Sequence, residues 1–405
     1  VRIVFIGPYG RVGGAEKVMR RDIEVLSKSG HDIAVVYGDR MVADDLQPRV
    51  RKCYLRDMRP DFTINGGGSK KLWESVVELE PDIVHFHTTE IFGDRDTISK
   101  IILTFPTIVT IHNYYLLCPK NSKSLALKDG RVCSRHVGPG CLIGKYLRGC
   151  SDHSQIATWK RYLKVKANVA LHTRVGRIVV VNDYMKRMIA RVGIAPEKIA
   201  VVVPSVSDVE RVEVEEQSCE EGRVLFVGRL VPNKGVEYLL QASSYLSESH
   251  RIVIVGDGPE RERLVQMAVE CGIEKRVEFA GEIDGEHALR CEYLRACVVV
   301  VPSVLLESLV LVGQEAVCMG RPVIATDVGG IPESGWCEDG RNGYLVRSRD
   351  ARALADALGK VLGDREKAHE MGRESRRMAL ERFRPAGHRR ALEALYEACR
   401  SQQQS

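Results

Sequence analysis

Short apolar runs recur along this chain, each closing on a turn and most followed by a segment with helical spacing. RIVFIG (2–7), HDIAVVYG (31–38), PDIVHFH (81–87), TIVTIH (107–112), RIVVVN (177–182) and KIAVVVP (198–204) form a first series. RVLFVG (223–228), RIVIVG (251–256), RVEFAG (276–281), CVVVVP (297–302) and PVIAT (322–326) form a second. A run that stays apolar instead of alternating belongs to a strand covered on both faces. Such strands, alternating with helices, wind into parallel sheets. Two series in 405 residues exceed one comfortable core, so the spacing predicts two α/β domains. The acidic stretch VERVEVEEQSCEE (209–221) has no clear apolar period and reads as the linker between a domain at 1–208 and another at 222–382. After residue 350 the pattern is helical, and its last part, 383–405, is expected to pack back on the first domain.

Composition narrows the class. A hydrophobic share of 44% and a charged share of 28% are those of a water-soluble globular chain. No apolar run approaches the roughly 18 residues of a membrane helix, and VRIVFIGPYG reads as a strand and glycine loop, not a leader. A cytoplasmic setting is therefore expected. Charge is uneven: residues 1–208 hold 33 Lys+Arg against 21 Asp+Glu, and the rest hold 27 against 33. A basic first half suits an anionic partner such as a phosphorylated substrate or the inner face of a membrane, although solvated helix faces explain it equally. The basic helix QIATWKRYLKVKANVALHT (155–173) can gather Ile156, Trp159, Leu163 and Val169 on one apolar side, for packing or for a membrane interface. NGGGSK (65–70) reads as a flexible loop. Twelve scattered cysteines fit reduced thiols. Four of them, Cys118, Cys133, Cys141 and Cys150, fall in one loop-like stretch without a C-x-x-C pair; reduced thiols, a structural zinc and disulfides follow in that order.

The chemistry-bearing residues sit where strands end. Gly13 and Gly14 open the first helix, where backbone amides can approach a ligand, although the spacing is not G-x-G-x-x-G. On the apolar face of that helix fall Ala15, Met19, Ile23 and Leu26. His85 and His87 share one face of a strand, and His112 leaves the carboxyl end of another, where it can position a substrate or handle a proton. In the second series Arg229 and Lys234 follow a strand and precede a helix, a place that suits a diphosphate. Ile283 lies in FAGEIDGE, past another strand end, where backbone groups can meet a base. The stretch 302–330 carries Glu307 in a loop and Glu315, eight residues on, inside a helix; cap and surface ion pair are the plain readings. The apolar, small surroundings of Glu315 call for a partner.

Taken in order, these segments resemble the retaining glycosyltransferases of the family-4 type with the GT-B fold. The resemblance spans nearly the whole chain: the Gly13-Gly14 loop, VTIHNYYLLCP (109–119), VGR…KG (227–235), GDGP (256–259), P-S-x-x-x-E-x7-E-A (302–316), then G-x-P-V-I-A and GG-x-x-E. It implies two Rossmann-like domains facing a central cleft, with C-terminal helices, and transfer of a hexosyl unit from a nucleotide-diphosphate sugar to a glycan, lipid-linked or small-molecule acceptor. It implies Arg229 and Lys234 on the donor diphosphate, with the amides of Val310, Leu311 and Gly14 near it. Glu307 is implied on the transferred sugar, His112 facing that sugar, and Glu315 with Ile283 on the nucleoside. No cofactor and no catalytic metal are implied, and nucleic acid is not expected as a partner. One departure stands out. The stretch Glu307-Ser308-Leu309-Val310 has Val310 where the family has glycine, and a β-branched residue restricts close backbone approach. A GT-B-fold epimerase or phosphorylase, or a non-catalytic nucleotide-sugar-binding protein, are the alternatives.

Overall fold

The computed structural model of the chain describes residues 1–7, 13–37, 49–55, 66–87, 95–121, 123, 133, 135–143, 150, 154–207, 209–210 and 219–401, without the side chains of 66–68 and 155. They divide into two units, Val1–Ser205 with Pro385–Ser405, and Val206–Arg384.

The first unit runs β1 (Arg2–Ile6), α1 (Gly14–Ser27), β2 (Asp32–Tyr37), β3 (Arg51–Tyr54), α2 (Gly66–Glu78), β4 (Ile83–His87), α3 (Arg95–Thr104), β5 (Thr107–Thr110), α4 (Gln155–His172), β6 (Arg177–Val180), α5 (Asp183–Ala190) and β7 (Ile199–Val201). Its seven strands lie in the order β3-β2-β1-β4-β5-β6-β7, all parallel. The continuous apolar runs explain this: Ile3 pairs in register with Ile33 on one side and Ile83 on the other, and all three are buried. Met19, Ile23 and Leu26 of α1 cover this part of the sheet. Leu392, Leu395, Tyr396 and Cys399, from a helix at Pro385–Ser401, join the same core.

The second unit runs β8 (Arg223–Val227), α6 (Val236–Ser243), β9 (Arg251–Val255), α7 (Arg261–Glu270), β10 (Val277–Gly281), α8 (Glu286–Arg295), β11 (Val298–Val301), α9 (Leu311–Cys318), β12 (Val323–Thr326), β13 (Gly343–Val346), α10 (Ala351–Leu362) and α11 (Arg365–Arg382). The strand order is β10-β9-β8-β11-β12-β13, again parallel throughout. The remaining helix, Pro385–Ser401, is α12. In both sheets the order reverses once, between β1 and β4 and between β8 and β11, and at such a switch point the loops leaving the carboxyl ends diverge and open a crevice.

The expectation of two parallel α/β sheets holds. Two strands escaped the sequence reading: β3 and β13 lie at sheet edges and have partly exposed positions, so neither shows a strong apolar run. NGGGSK is corrected in part. Residues 66–70 are the first turn of α2 and not a loop, because burial of Leu72 and Val76 further along fixes the helix. Residues 8–12 of the first glycine loop and 211–218 of the expected linker lie outside the described residues. The apolar side assigned to α4 is also corrected. Ile156, Trp159 and Leu163 are 70%, 49% and 47% exposed, while Val165, Val169 and His172 are buried.

Candidate functional site

In the second unit the two loops that leave the switch point are locked together. After β8 the chain passes Arg229, exposed, and a short turn Pro232–Lys234. Gly235 then takes a left-handed conformation (φ 66°), where a Cβ would overlap the Pro302 carbonyl of the loop after β11. The Val304 amide donates to the Asn233 carbonyl at 2.9 Å, which joins the loops again. Across this junction Lys234 Nζ donates to Glu307 Oε1 at 2.8 Å, and Ser303 Oγ donates to the same oxygen at 3.2 Å. The Gly330 amide donates to the Glu307 carbonyl at 2.9 Å, and Gly329 (φ 60°) brings its backbone against Glu307 where a side chain would collide. The turn after β12 thus holds Glu307 from behind.

Val310 is the N-cap of α9 with φ −114° and ψ 93°, an extended conformation that any residue adopts. Its side chain is buried, so the β-branch is spent on the core. Leu311 follows as the first helical residue, also buried. Glu315, one turn further into α9, accepts from the Tyr293 hydroxyl at 3.0 Å, which supplies a partner for that carboxylate. Tyr293 was not picked out in the sequence, and Ser303 entered only as part of the P-S-x-x-x-E run. Ile283 lies in the loop past β10, partly buried. Arg229, Lys234, Glu307 and the amino end of α9 therefore share the carboxyl edge at the β8/β11 switch, and Ile283 lies beyond the carboxyl end of β10, two strands away.

A separate cavity of about 470 Å³ in this unit is lined by Gly222, Cys297 and Pro322, which precede β8, β11 and β12, and by Arg321, Arg373 and Arg376. It lies at the amino edge, opposite the residues just described.

The first unit holds a buried polar chain that sequence reasoning did not assemble. Asp22, on α1, is 2% exposed. One carboxylate oxygen lies 3.2 Å from His87 Nε2 and the other 3.0 Å from His388 Nε2 of α12. Among the described residues neither Asp22 Oδ1 nor His87 Nε2 makes a hydrogen bond of good geometry. His87 Nδ1 lies 3.1 Å from His112 Nε2. His85, whose ring centre is 4.7 Å from that of His87, bonds Tyr396 through Nδ1 and Thr110 through Nε2, both at 2.8 Å. The two imidazoles hold Asp22 far below the usual carboxylate range, against the opposing effect of its burial. Burial and then the neighbouring His87 charge push His85 well below its ordinary value, and the same two causes bring His112 down to about 3. His112 itself lies two residues past the end of β5, half-buried, rather than at the strand's last position. Asp22, His85 and His87 are close enough to share a metal ion, yet both ring nitrogens of His85 already have hydroxyl partners. The missed signal was position: Asp22 falls on the stripe of Met19 and Leu26, and His388 on that of Leu392 and Leu395.

Gly13 and Gly14 are exposed, and among the described residues a Cβ on either would meet no atom. Cys118, Cys133, Cys141 and Cys150 are all free and partly buried. Burial raises Cys141 and Cys150, and the neighbouring thiols add to it. Among the described residues these four thiols do not converge to metal-ligand spacing.

Two wound parallel sheets, each with its candidate residues at a switch point, define a double-Rossmann α/β protein of GT-B architecture. The profile described as "Glycosyltransferase Family 4" matches residues 12–209, and that described as "Glycosyl transferases group 1" matches 210–378. The chain belongs to the family-4 glycosyltransferases. It is 39% identical over 159 residues to a D-inositol 3-phosphate glycosyltransferase of Nocardia farcinica, covering 37% of this chain and 34% of that protein. To a GDP-mannose-dependent alpha-(1-6)-phosphatidylinositol monomannoside mannosyltransferase of Mycobacterium tuberculosis it is 33% identical over 173 residues, 41% and 44% of the two chains. These matches span less than half the length of the curated relatives. Solved structures match over the whole chain: Anabaena HepE in complex with UDP-glucose (TM-score 0.69, 19% identity, 97% and 99% covered) and a sucrose-phosphate synthase of Thermosynechococcus elongatus (TM-score 0.70, 21%, 98% of each). At these identities the structures speak for the fold.

Proposed function

We propose that this protein is a retaining glycosyltransferase that moves a hexosyl unit from a nucleotide-diphosphate sugar to a glycan, lipid-linked or small-molecule acceptor. The observation that carries this reading is the Lys234–Glu307 contact at 2.8 Å, which joins the two switch-point loops beside the amino end of α9. A cation and helix amides at one spot suit a leaving diphosphate, and a carboxylate within reach of both suits the hydroxyls of the sugar attached to it.

The anomeric C–O bond breaks with its electron pair passing to the diphosphate. Arg229, Lys234 and the amides of Val310 and Leu311 stabilise that charge, with the Gly14 amide on the same phosphate or on the acceptor. Glu307 fixes the sugar, which supplies proximity. Glu315 and Ile283 take the ribose and base. The acceptor hydroxyl bonds to the anomeric carbon on the face the phosphate leaves, and its proton passes to the departing phosphate oxygen, so no protein base and no covalent sugar–enzyme bond is required. UDP in one group of structural neighbours and GDP-mannose in the name of one relative leave either base open to a direct screen. The exposed Ile156, Trp159 and Leu163 beside Lys160, Arg161 and Lys164 support contact with an anionic membrane surface, where a lipid-linked acceptor would be met.

A thermal-shift screen of UDP-, GDP- and ADP-sugars followed by a transfer assay tests the reading. One donor class should raise the melting temperature. Lys234→Ala should then lower turnover by roughly 10²- to 10³-fold. Binding of no nucleotide sugar, or full turnover by Glu307→Ala, would remove the proposal.

A further inference from the structure

We propose that Cys219 is an oxidation site of the second unit for hydroperoxides, and that Cys297 is the thiol that resolves it by forming a Cys219–Cys297 disulfide. Nothing in this depends on the glycosyl-transfer reading, because both cysteines line the cavity at the amino edge of the sheet, opposite Lys234 and Glu307.

Backbone bonds bring the two thiols together from distant parts of the sequence. Cys219 lies a few residues before β8, and Cys297 immediately precedes β11. The Glu220 N–H donates to the Arg295 carbonyl at 2.8 Å, and the Cys297 N–H donates to the Arg223 carbonyl, also at 2.8 Å. These bonds pin residues 220–223 beside 295–297. The Cys297 Sγ lies 2.8 Å from the Glu220 carbonyl oxygen, and its thiol is also in hydrogen-bonding contact with Cys219. Both residues are only partly buried, so a small oxidant reaches them through the cavity.

Their surroundings divide the pair into a nucleophile and a partner. The Arg321 guanidinium is in hydrogen-bonding contact with Cys219, whereas a carbonyl oxygen faces the Cys297 thiol and holds its proton. The hydrogen bond from Cys297, and then the charges of Arg321, His369 and Arg365, hold the Cys219 thiol well below its ordinary value, against the opposing effect of burial. The contact with Cys219, and then burial, push Cys297 up. Among the described residues that line the cavity, Glu221 is the one acid, facing Arg321, Arg365, Arg373, Arg376 and His369. The thiolate is the attacking form of a cysteine, so Cys219 is the reactive sulfur and Cys297 keeps its proton. Other cysteines of the unit differ: burial raises Cys271 and pushes Cys337 up to about 12.

The chemistry takes two steps. The Cys219 thiolate attacks one oxygen of the hydroperoxide. An S–O bond forms, the O–O bond breaks, and hydroxide or alkoxide leaves and takes a proton from water. Cys219 is oxidised by two electrons to the sulfenic acid, and the peroxide is reduced. The Cys297 sulfur then attacks the Cys219 sulfur. An S–S bond forms, the S–O bond breaks, and the hydroxyl leaves as water with the Cys297 proton. The product ties the segment before β8 to the foot of β11.

Peptide mass spectrometry of the full chain, with remaining thiols blocked by alkylation, reads this without an activity assay. One equivalent of hydrogen peroxide at pH 7 should give Cys219–Cys297 as the most abundant disulfide, and dithiothreitol should reverse it. Cys297→Ser should instead hold Cys219 as the sulfenic acid, which a cyclic 1,3-dione labels. Cys219→Ser should lower oxidation of Cys297 at the same dose roughly tenfold. In the wild-type protein, alkylation of Cys219 by iodoacetamide should level off below pH 8, whereas an ordinary thiol titrates near about 8.5. Absence of the Cys219–Cys297 disulfide at a large excess of peroxide overturns the inference. So does a sulfenic acid on Cys297 in place of Cys219, or a Cys219 alkylation rate that keeps rising tenfold per pH unit through pH 8. The wild-type protein alone decides these outcomes, so neither variant has to fold. Sugar transfer enters none of the readouts, so this inference and the proposed function fail separately.

Discussion

At the scale of single residues, close packing reverses what propensity alone implies. Gly313 lies inside α9, where glycine normally costs up to about 1 kcal/mol relative to alanine. A Cβ there would overlap the indole of Trp336, which is fully buried. Gly313→Ala is therefore expected to destabilise the second unit by about 1–3 kcal/mol, and urea denaturation followed through Trp336 fluorescence measures it. A rise in midpoint would mean that the indole yields and propensity wins. Val310 shows the converse. The sequence marks it as a departure from a glycine, yet its extended dihedrals and buried side chain fit the N-cap without strain. Asp22 belongs with these cases. A charge on a helix is ordinarily read as solvated, and only its place on the Met19–Leu26 stripe reveals that it is buried.

Among the elements, α4 separates two uses of one amphipathic pattern. Its Val165, Val169 and His172 are buried, while Ile156, Trp159 and Leu163 are turned out beside lysines and an arginine. Trp159→Ala should weaken co-sedimentation with vesicles containing anionic lipid at least several-fold and leave binding of a soluble nucleotide sugar unchanged. Equal sedimentation of both proteins would rule out α4 as the contact. The same helix shows what a sequence conveys. Periodicity finds a helix and its two faces, but it does not say which of two apolar stripes meets the core. Fully buried strands such as β11, and nearly fully buried ones such as β1 and β8, were legible because burial on both faces forces continuous apolar runs. The edge strand β3 was not, because half-exposed positions carry no such demand. In the candidate site, Arg229, Lys234, Glu307 and Glu315 could be read from their places relative to strand ends. Tyr293 and His388 could not, since each reaches its partner from another element of the chain.

Over the whole molecule, the two units differ in their response to acid. His112 and His172 in the first unit have folded values of about 3 and about 4, each lowered chiefly by burial. A histidine in the unfolded chain titrates near 6.5. As pH falls below about 6.5 the unfolded chain takes up these protons while the folded unit does not, so stability is whole above that pH and declines towards about 4, by at most about 1.4 kcal/mol per pH unit for each ring. In the second unit burial lowers His250 in the same direction, without a comparable group of rings. Hydrogen exchange read on peptides of each unit between pH 7 and 5 should show protection lost first in β4, β5 and α4, and equal loss in both units would contradict this. The return of α12 to the first unit has a temporal consequence. On a ribosome the amino-terminal sheet emerges first, yet Leu392, Leu395, Tyr396 and His388, which complete its core and its buried carboxylate, are made only after the whole second unit. The unit synthesised second is continuous in sequence and can finish folding first. The unit synthesised first must wait, with Asp22 uncovered on one side, until the last helix arrives.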